Sequence, residues 1–215
     1  VDYIADATTR KAKFLDGEID ACLVPRDYLN ELIDPVTREP PAGVNYKTIK
    51  NILPSLSLDA MHFTFTLNST SPYFGTGHFP DGITLNFFND THVRRAFAYS
   101  FNHTQAIESI WFGEARYVSF TPLIEGLYPD YHTISTGYEV NFASAEAELK
   151  SALFDGQSVW DAGFTLTLAV NTGAAARISV EMIRDFFNKL STYDGRIGPP
   201  FTVGTVEIDW PTYLP

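Results

Sequence analysis

The chain has one cysteine, Cys22, among 215 residues. A lone thiol closes no disulfide and makes no cysteine-based zinc site, and its place in the apolar run 19–24 reads as a small buried hydrophobe. Positive charge is also scarce: 15 Lys and Arg stand against 26 Asp and Glu, a formal net charge of −11. Nucleic acid needs a basic footprint, so it is excluded as a partner, and anionic lipid is repelled for the same reason. No apolar run approaches the ~20 residues of a membrane span. The histidines, His62, His78, His92, His103 and His132, show no His-x-x-x-His or His-Glu-x-x-His spacing, so no metal is expected. There is no Gly-x-Ser-x-Gly elbow, no Gly-x-x-x-x-Gly-Lys and no Gly-x-Gly-x-x-Gly, which removes serine hydrolysis and phosphate cradling. Glu18 and Asp20, two apart on a strand, make a solvated face and not a glycosidase pair. Neither catalysis nor a cofactor is expected.

Hydrophobic residues make up 45% and charged ones 19%, enough apolar matter for a core and too little charge for disorder. No internal repeat or low-complexity tract interrupts the chain. The most ordered pattern lies in 89–122. Asp90 or Thr91 can cap a helix in which Val93, Ala96, Phe97, Ser100 and Phe101 fall on one stripe, with Arg94 and Arg95 pointing away. Asn102 opens a second helix, and Gln105 three places on completes a capping box. Ala106, Ile107, Ile110 and Trp111 form its apolar face, and Gly113 sits where a left-handed stop belongs.

Asp90, Val93-Arg94-Arg95-Ala96, Asn102, Gly113 and Pro122 together resemble a signature of the family 5 extracellular solute-binding proteins. These are the oligopeptide, dipeptide and nickel receptors of ABC importers. Four partial matches keep the same order. Leu15-Asp16-Gly17-Glu18-Ile19-Asp20 is similar to an L-x-x-G-E-I-D segment, and Leu67-Asn68-Ser69 to an F-N-T strand end. The run 138–153 is similar to Y-D-x-x-K-A-x-x-L-L, interrupted at Asn141 and Ala143. Trp210 and Tyr213 match W-x-x-Y.

Taken in order, 1–5 reads as a strand, Thr8 or Thr9 as the cap of a helix ended by Gly17, 18–24 as a second strand, and 25–33 as a helix. That is a small parallel crossover. A loop follows over 34–45, with an edge strand at 44–53. Alternation makes 58–67 a half-buried strand with Met61, Phe63, Phe65 and Leu67 inward. The stretch 69–88 reads as a long surface loop. A strand at 116–120 and a loop at 123–140 precede a helix capped by Ser144 and running to Phe154, with Ala147, Leu149, Ala152 and Leu153 inward. A second crossover closes the chain: a strand at 164–170, a helix from Ala174 to Leu190, and a strand at 202–208.

Candidate binding residues follow. Asn171-Thr172-Gly173 ends a strand and opens a helix, where free backbone N–H groups suit a ligand carboxylate or carbonyl. The alternative is a plain helix cap with an exposed Arg177. The resemblance implies that this loop, through Ala176 and Arg177, borders a ligand cleft, and that Trp210 lines it. Without the resemblance, a tryptophan after a strand simply packs on a domain edge. The resemblance also implies that the strand ending at Asn68, with Thr64 and Thr66 on its polar face, can pair with an extended peptide. The triplets at Asn68-Ser69-Thr70, Asn89-Asp90-Thr91 and Asn102-His103-Thr104 are glycosylation sequons, usable in an exported protein of a suitable organism; Asn102 already has a capping role.

The expected fold class is α/β, a periplasmic-binding-protein-like lobe of the type II, peptide-receptor class, with a mixed sheet and helices on both faces. Residues 1–215 are expected to be one such lobe of a larger two-lobed protein, truncated at both ends. The implied function is capture of a small solute, a peptide, for delivery to an ABC permease in the membrane. The other lobe is a partner, and the location is extracellular or periplasmic, membrane-associated through a segment outside this chain. The alternative is a stand-alone interaction or sensor domain derived from such a lobe.

Overall fold

The computed structural model describes residues 3–25, 28–34, 36–47, 61–71, 73–117, 137–171 and 174–208. They fall into two compact units, 1–55 and 56–215, each taken by itself.

In the first unit the cap of α1 (Ala7–Leu15) is Asp6, upstream of the expected Thr8 or Thr9. Its carboxylate accepts from the Thr9 backbone N–H at 2.7 Å. Gly17 turns the chain out of the helix at φ +75°. The expected strands at 1–5 and 18–24 do not form among the described residues, and the helix expected at 25–33 shrinks to α2 (Leu29–Leu32). Arg10 supplies a physical reason. From α1 its guanidinium donates to the carbonyls of Ile4 (2.5 Å), Ala5 (2.8 Å) and Leu23 (3.0 Å). A side chain thus satisfies carbonyls that a strand ladder would otherwise have to pair. The loop at 34–45 is as read. Asp34 organises it by accepting from the N–H groups of Thr37 (2.7 Å) and Val36 (2.9 Å), and these donors hold its carboxyl below the usual carboxylate range. The edge strand at 44–53 lies mostly outside the described residues, and 44–47 is irregular.

The second unit holds the hydrophobic core. A short 3-10 turn, Phe87–Asn89, leads into α3 (Thr91–Ala98), capped by Asp90 through the Val93 N–H at 3.0 Å. Val93, Ala96, Phe97 and Ser100 are buried as the periodicity requires. Arg94 does not simply point outward. It donates to the carbonyls of Phe88 (2.6 Å) and Asn89 (2.8 Å) and lies over the Phe65 ring, 4.7 Å from its centroid. It therefore ties the 3-10 turn to the helix that follows.

The reading of 69–88 as a surface loop fails at its end: Ile83, Phe87 and Phe88 are core residues. Phe87 touches Phe79, Phe97, Phe154 and Phe164, at centroid distances of 5.9, 6.4, 5.9 and 5.4 Å. The strand expected over 58–67 is irregular at 61–67, with 58–60 outside the described residues. Phe63 and Leu67 pack on the core while Met61 and Phe65 are exposed, so only half of the alternating set is inward.

In α4 (His103–Ser109) the Asn102 oxygen accepts from the Gln105 N–H at 2.9 Å. Gln105 does not return to the backbone; its oxygen takes the Asn102 amide at 3.4 Å. Asn102→Ala should therefore cost about 1 kcal/mol of stability, measurable as a lower urea midpoint at unchanged slope. The strand expected at 116–120 is absent at Arg116 and Tyr117, with the remainder outside the described residues, as is most of the loop at 123–140.

Helix α5 (Phe142–Ser151) begins earlier than expected because Asn141, not Ser144, is the cap: its oxygen accepts the Ser144 N–H at 2.9 Å. It also ends earlier, at Ser151. Ala145, Leu149 and Ala152 are buried, whereas Ala147 and Leu153 are exposed. The chain then forms a hairpin of β1 (Leu153–Phe154) and β2 (Gln157–Ser158), turning on Asp155 and Gly156, both at positive φ.

After α6 (Val159–Ala162), β3 (Phe164–Asn171), α7 (Ala174–Leu190) and β4 (Phe201–Ile208) make the crossover that the sequence announced. The two strands are parallel, paired from Phe164 opposite Phe201 to Asn171 opposite Ile208. Ile183, Phe186, Phe187 and Leu190 bury one stripe of α7. The class is α/β, with both parallel and antiparallel pairing.

Candidate functional site

The parallel pair carries its polar end at the carboxyl termini of its strands. Asn171 ends β3 half-buried, and three residues later α7 begins. Arg177, one turn into α7, reaches Glu207 near the end of β4: Nη1 and Oε1 are 3.5 Å apart, on exposed side chains. Glu207 lies opposite Val170 in the register. The strand ends, the start of the helix and an Arg–Glu pair thus meet at one rim. Exposed pairs of this kind add little stability, which leaves both groups free to exchange partners with a charged ligand.

Of the residues expected to bind, Asn171 and Arg177 stand at this rim. Thr172, Gly173 and Trp210 lie outside the described residues. Thr64 is exposed on irregular backbone. Asn68 is exposed too, but its oxygen is taken, accepting from the Thr70 N–H (3.0 Å) and the Thr70 hydroxyl (2.8 Å). Leu67 donates to the Leu85 carbonyl at 2.8 Å, which fixes where this stretch runs. Sequence reading missed Glu207. The signal was there: Thr205 and Glu207 share the exposed face of an alternating strand.

A second polar cluster joins α3 to α5. His92 Nδ1 donates to Glu148 Oε2 at 2.6 Å, and Arg95 stands 3.9 Å from the other oxygen. Among the described residues no group of three or more His, Cys, Asp or Glu side chains could hold a metal ion. His103 is half-buried between Phe101 and Tyr117, with ring centroids at 4.9 and 4.0 Å. Burial pulls its pKa below the ordinary 6.5, and Glu139 opposes this in part.

The sign for stability follows. Below about pH 6.5 the unfolded chain takes up a proton that the folded His103 resists, so stability should fall as pH drops through this range and be intact above it. Urea midpoints at pH 7.5 and 5.5 test this. His103→Phe should show a smaller drop than the parent sequence, and an equal drop would refute the assignment.

A family model described as bacterial extracellular solute-binding proteins, family 5 middle, matches residues 1–192. No curated protein matches the chain. Among solved structures it is similar to the oligopeptide-binding protein AppA from Bacillus subtilis in complex with a nonapeptide. The identity is 18% and the TM-score 0.44, over 60% of this chain and 25% of that one. It is also similar to NikZ from Campylobacter jejuni in complex with Ni(L-His), at 16% identity and TM-score 0.45, over 97% of this chain and 35% of that one. The chain thus spans between a quarter and about a third of the length of these structures.

Proposed function

The chain belongs to the bacterial extracellular solute-binding proteins of family 5, and from that membership we propose that it is a ligand-capturing lobe of an ABC-importer receptor for peptides. It acts by binding and not by catalysis. A second lobe of the parent chain completes the cleft, the ligand favours the closed form, and that form delivers its solute to a membrane permease. In this reading residues 1–215 belong to one lobe. No helix among the described residues is long and apolar enough to cross a membrane.

The observation that carries the reading is the family match over 192 residues, joined to the polar rim of the β3–α7–β4 crossover. There Asn171, Thr172, Gly173 and Arg177 border the cleft, and Trp210 lines it. The opposite charges of Arg177 and Glu207 suit a ligand that carries both a carboxylate and an amine, as a peptide does.

Calorimetric titration of the full-length receptor with a peptide mixture tests the assignment. Trp210→Ala should weaken binding at least tenfold while leaving the melting temperature within about 2 °C, since large apolar ring contacts in a cleft dominate binding energy. Binding equal to that of the parent sequence would remove Trp210 from the site.

A further inference from the structure

Three sequons occur in the chain, and the structure presents them very differently. Asn102 is the cap of α4: its oxygen holds the Gln105 N–H, its amide meets the Gln105 oxygen, and Thr104 lies inside the helix. Asn89 ends a 3-10 turn whose carbonyls are clamped by Arg94, and Thr91 sits in the first turn of α3 with its hydroxyl accepting from Arg94 at 3.0 Å. A transferase that must lay the tripeptide in its own groove would have to unwind α3 or α4 to reach either. Asn68-Ser69-Thr70 is outside any helix or strand, and all three residues are exposed. The Thr70 hydroxyl and N–H both donate to the Asn68 oxygen, at 2.8 and 3.0 Å. Asn68 is exposed, and among the described residues no acceptor meets its amide nitrogen Nδ2. Donation to the amide oxygen also makes the N–H groups more acidic, which assists loss of a proton.

We propose that Asn68 is a site of N-linked glycosylation. The donor class is a polyprenyl-phosphate-linked saccharide. The bond from Asn68 Nδ2 to the anomeric carbon forms as the bond from that carbon to the lipid phosphate oxygen breaks. The phosphate leaves with the electron pair, and the amide gives up one proton; nothing is oxidised or reduced. A solvated glycan on a turn of this kind leaves the hydrophobic core untouched. The proposal rests on the extracellular placement that family membership brings, since such donors are used on the outer side of the membrane.

Peptide mapping by mass spectrometry of the full-length protein from the organism that encodes it, with fractionation of the same cells, tests the proposal. The expected result is extracytoplasmic protein with a saccharide mass on the peptide containing Asn68, and unmodified peptides over Asn89 and Asn102. Asn68→Gln and Thr70→Ala should both abolish the added mass, Thr70→Ser should keep it, and Asn68→Gln should leave the melting temperature unchanged. Extracytoplasmic protein with a bare Asn68, or with saccharide only on Asn89 or Asn102, overturns the glycan assignment and leaves the receptor reading standing. A cytoplasmic protein overturns both.

Discussion

Phe97→Ala should lower the unfolding free energy of the second unit by about 3–5 kcal/mol, the range for emptying a fully enclosed aromatic site. Phe97 is 2% exposed. Its ring meets Phe88 at 5.3 Å, Phe164 at 6.0 Å and Phe187 at 4.5 Å, so one side chain from α3 touches the preceding turn, β3 and α7. Truncation removes its own burial and these ring contacts, and leaves a void walled by rings that belong to three elements. Such walls cannot all collapse inward together. Against a total stability of about 5–15 kcal/mol for a domain, the loss leaves little. Phe97→Leu keeps most of the volume and should cost about 1 kcal/mol. Urea titration of the pair, at matched slopes, reads both values. A loss below 1 kcal/mol for the alanine variant would mean that the core is not organised around this ring.

Gly163→Ala should cost about 3 kcal/mol, for two reasons that add. Gly163 sits between α6 and β3 at φ 68° and ψ 176°, a region open essentially to glycine alone and worth about 1–3 kcal/mol of strain to any other residue. A Cβ there would also lie 2.6 Å from the Pro199 carbonyl oxygen and 2.9 Å from its carbonyl carbon. That neighbour is backbone, and it cannot swing aside. Phe164 N–H donates to the Pro200 carbonyl at 3.3 Å, where the pairing of β3 with β4 begins, so a shift of 199–200 strains the register. Overpacking of this kind adds about 1–3 kcal/mol. Gly156→Ala separates the two terms. Gly156 has φ +81° in the β1–β2 turn with nothing within 4 Å of the added carbon, so only the left-handed strain of about 1 kcal/mol should appear. Equal losses for the two variants would contradict the close approach of Pro199.

What could be read from the sequence is what a short window encodes. The stripe of α3 and the span of α7 follow from spacing of apolar residues within one element, and the β3–α7–β4 crossover follows from their order. Apart from the helix caps, which turn on a choice between neighbouring polar residues, the misreadings involve partners beyond the local window. Strand propensity at 18–24 is genuine, but Arg10, in the helix before that stretch, holds the Leu23 carbonyl. Phe87 and Phe88 stand side by side, with no period to mark them, at the end of a glycine- and proline-rich stretch; only the packed core reveals that both rings are inside. At α5 the expected cap, Ser144, instead supplies the N–H that the Asn141 oxygen accepts. The rim of the crossover was legible through Asn171 and Arg177. Strand alternation also puts its acidic member, Glu207, on the exposed face with Thr205, but does not say that Arg177 stands opposite.

Native mass spectrometry of the gently purified full-length protein tests most directly whether it is a peptide receptor. A peptide receptor should carry bound mass that resolves, on denaturation, into a ladder of small peptides. An empty protein that also leaves peptide libraries unbound would contradict the receptor reading.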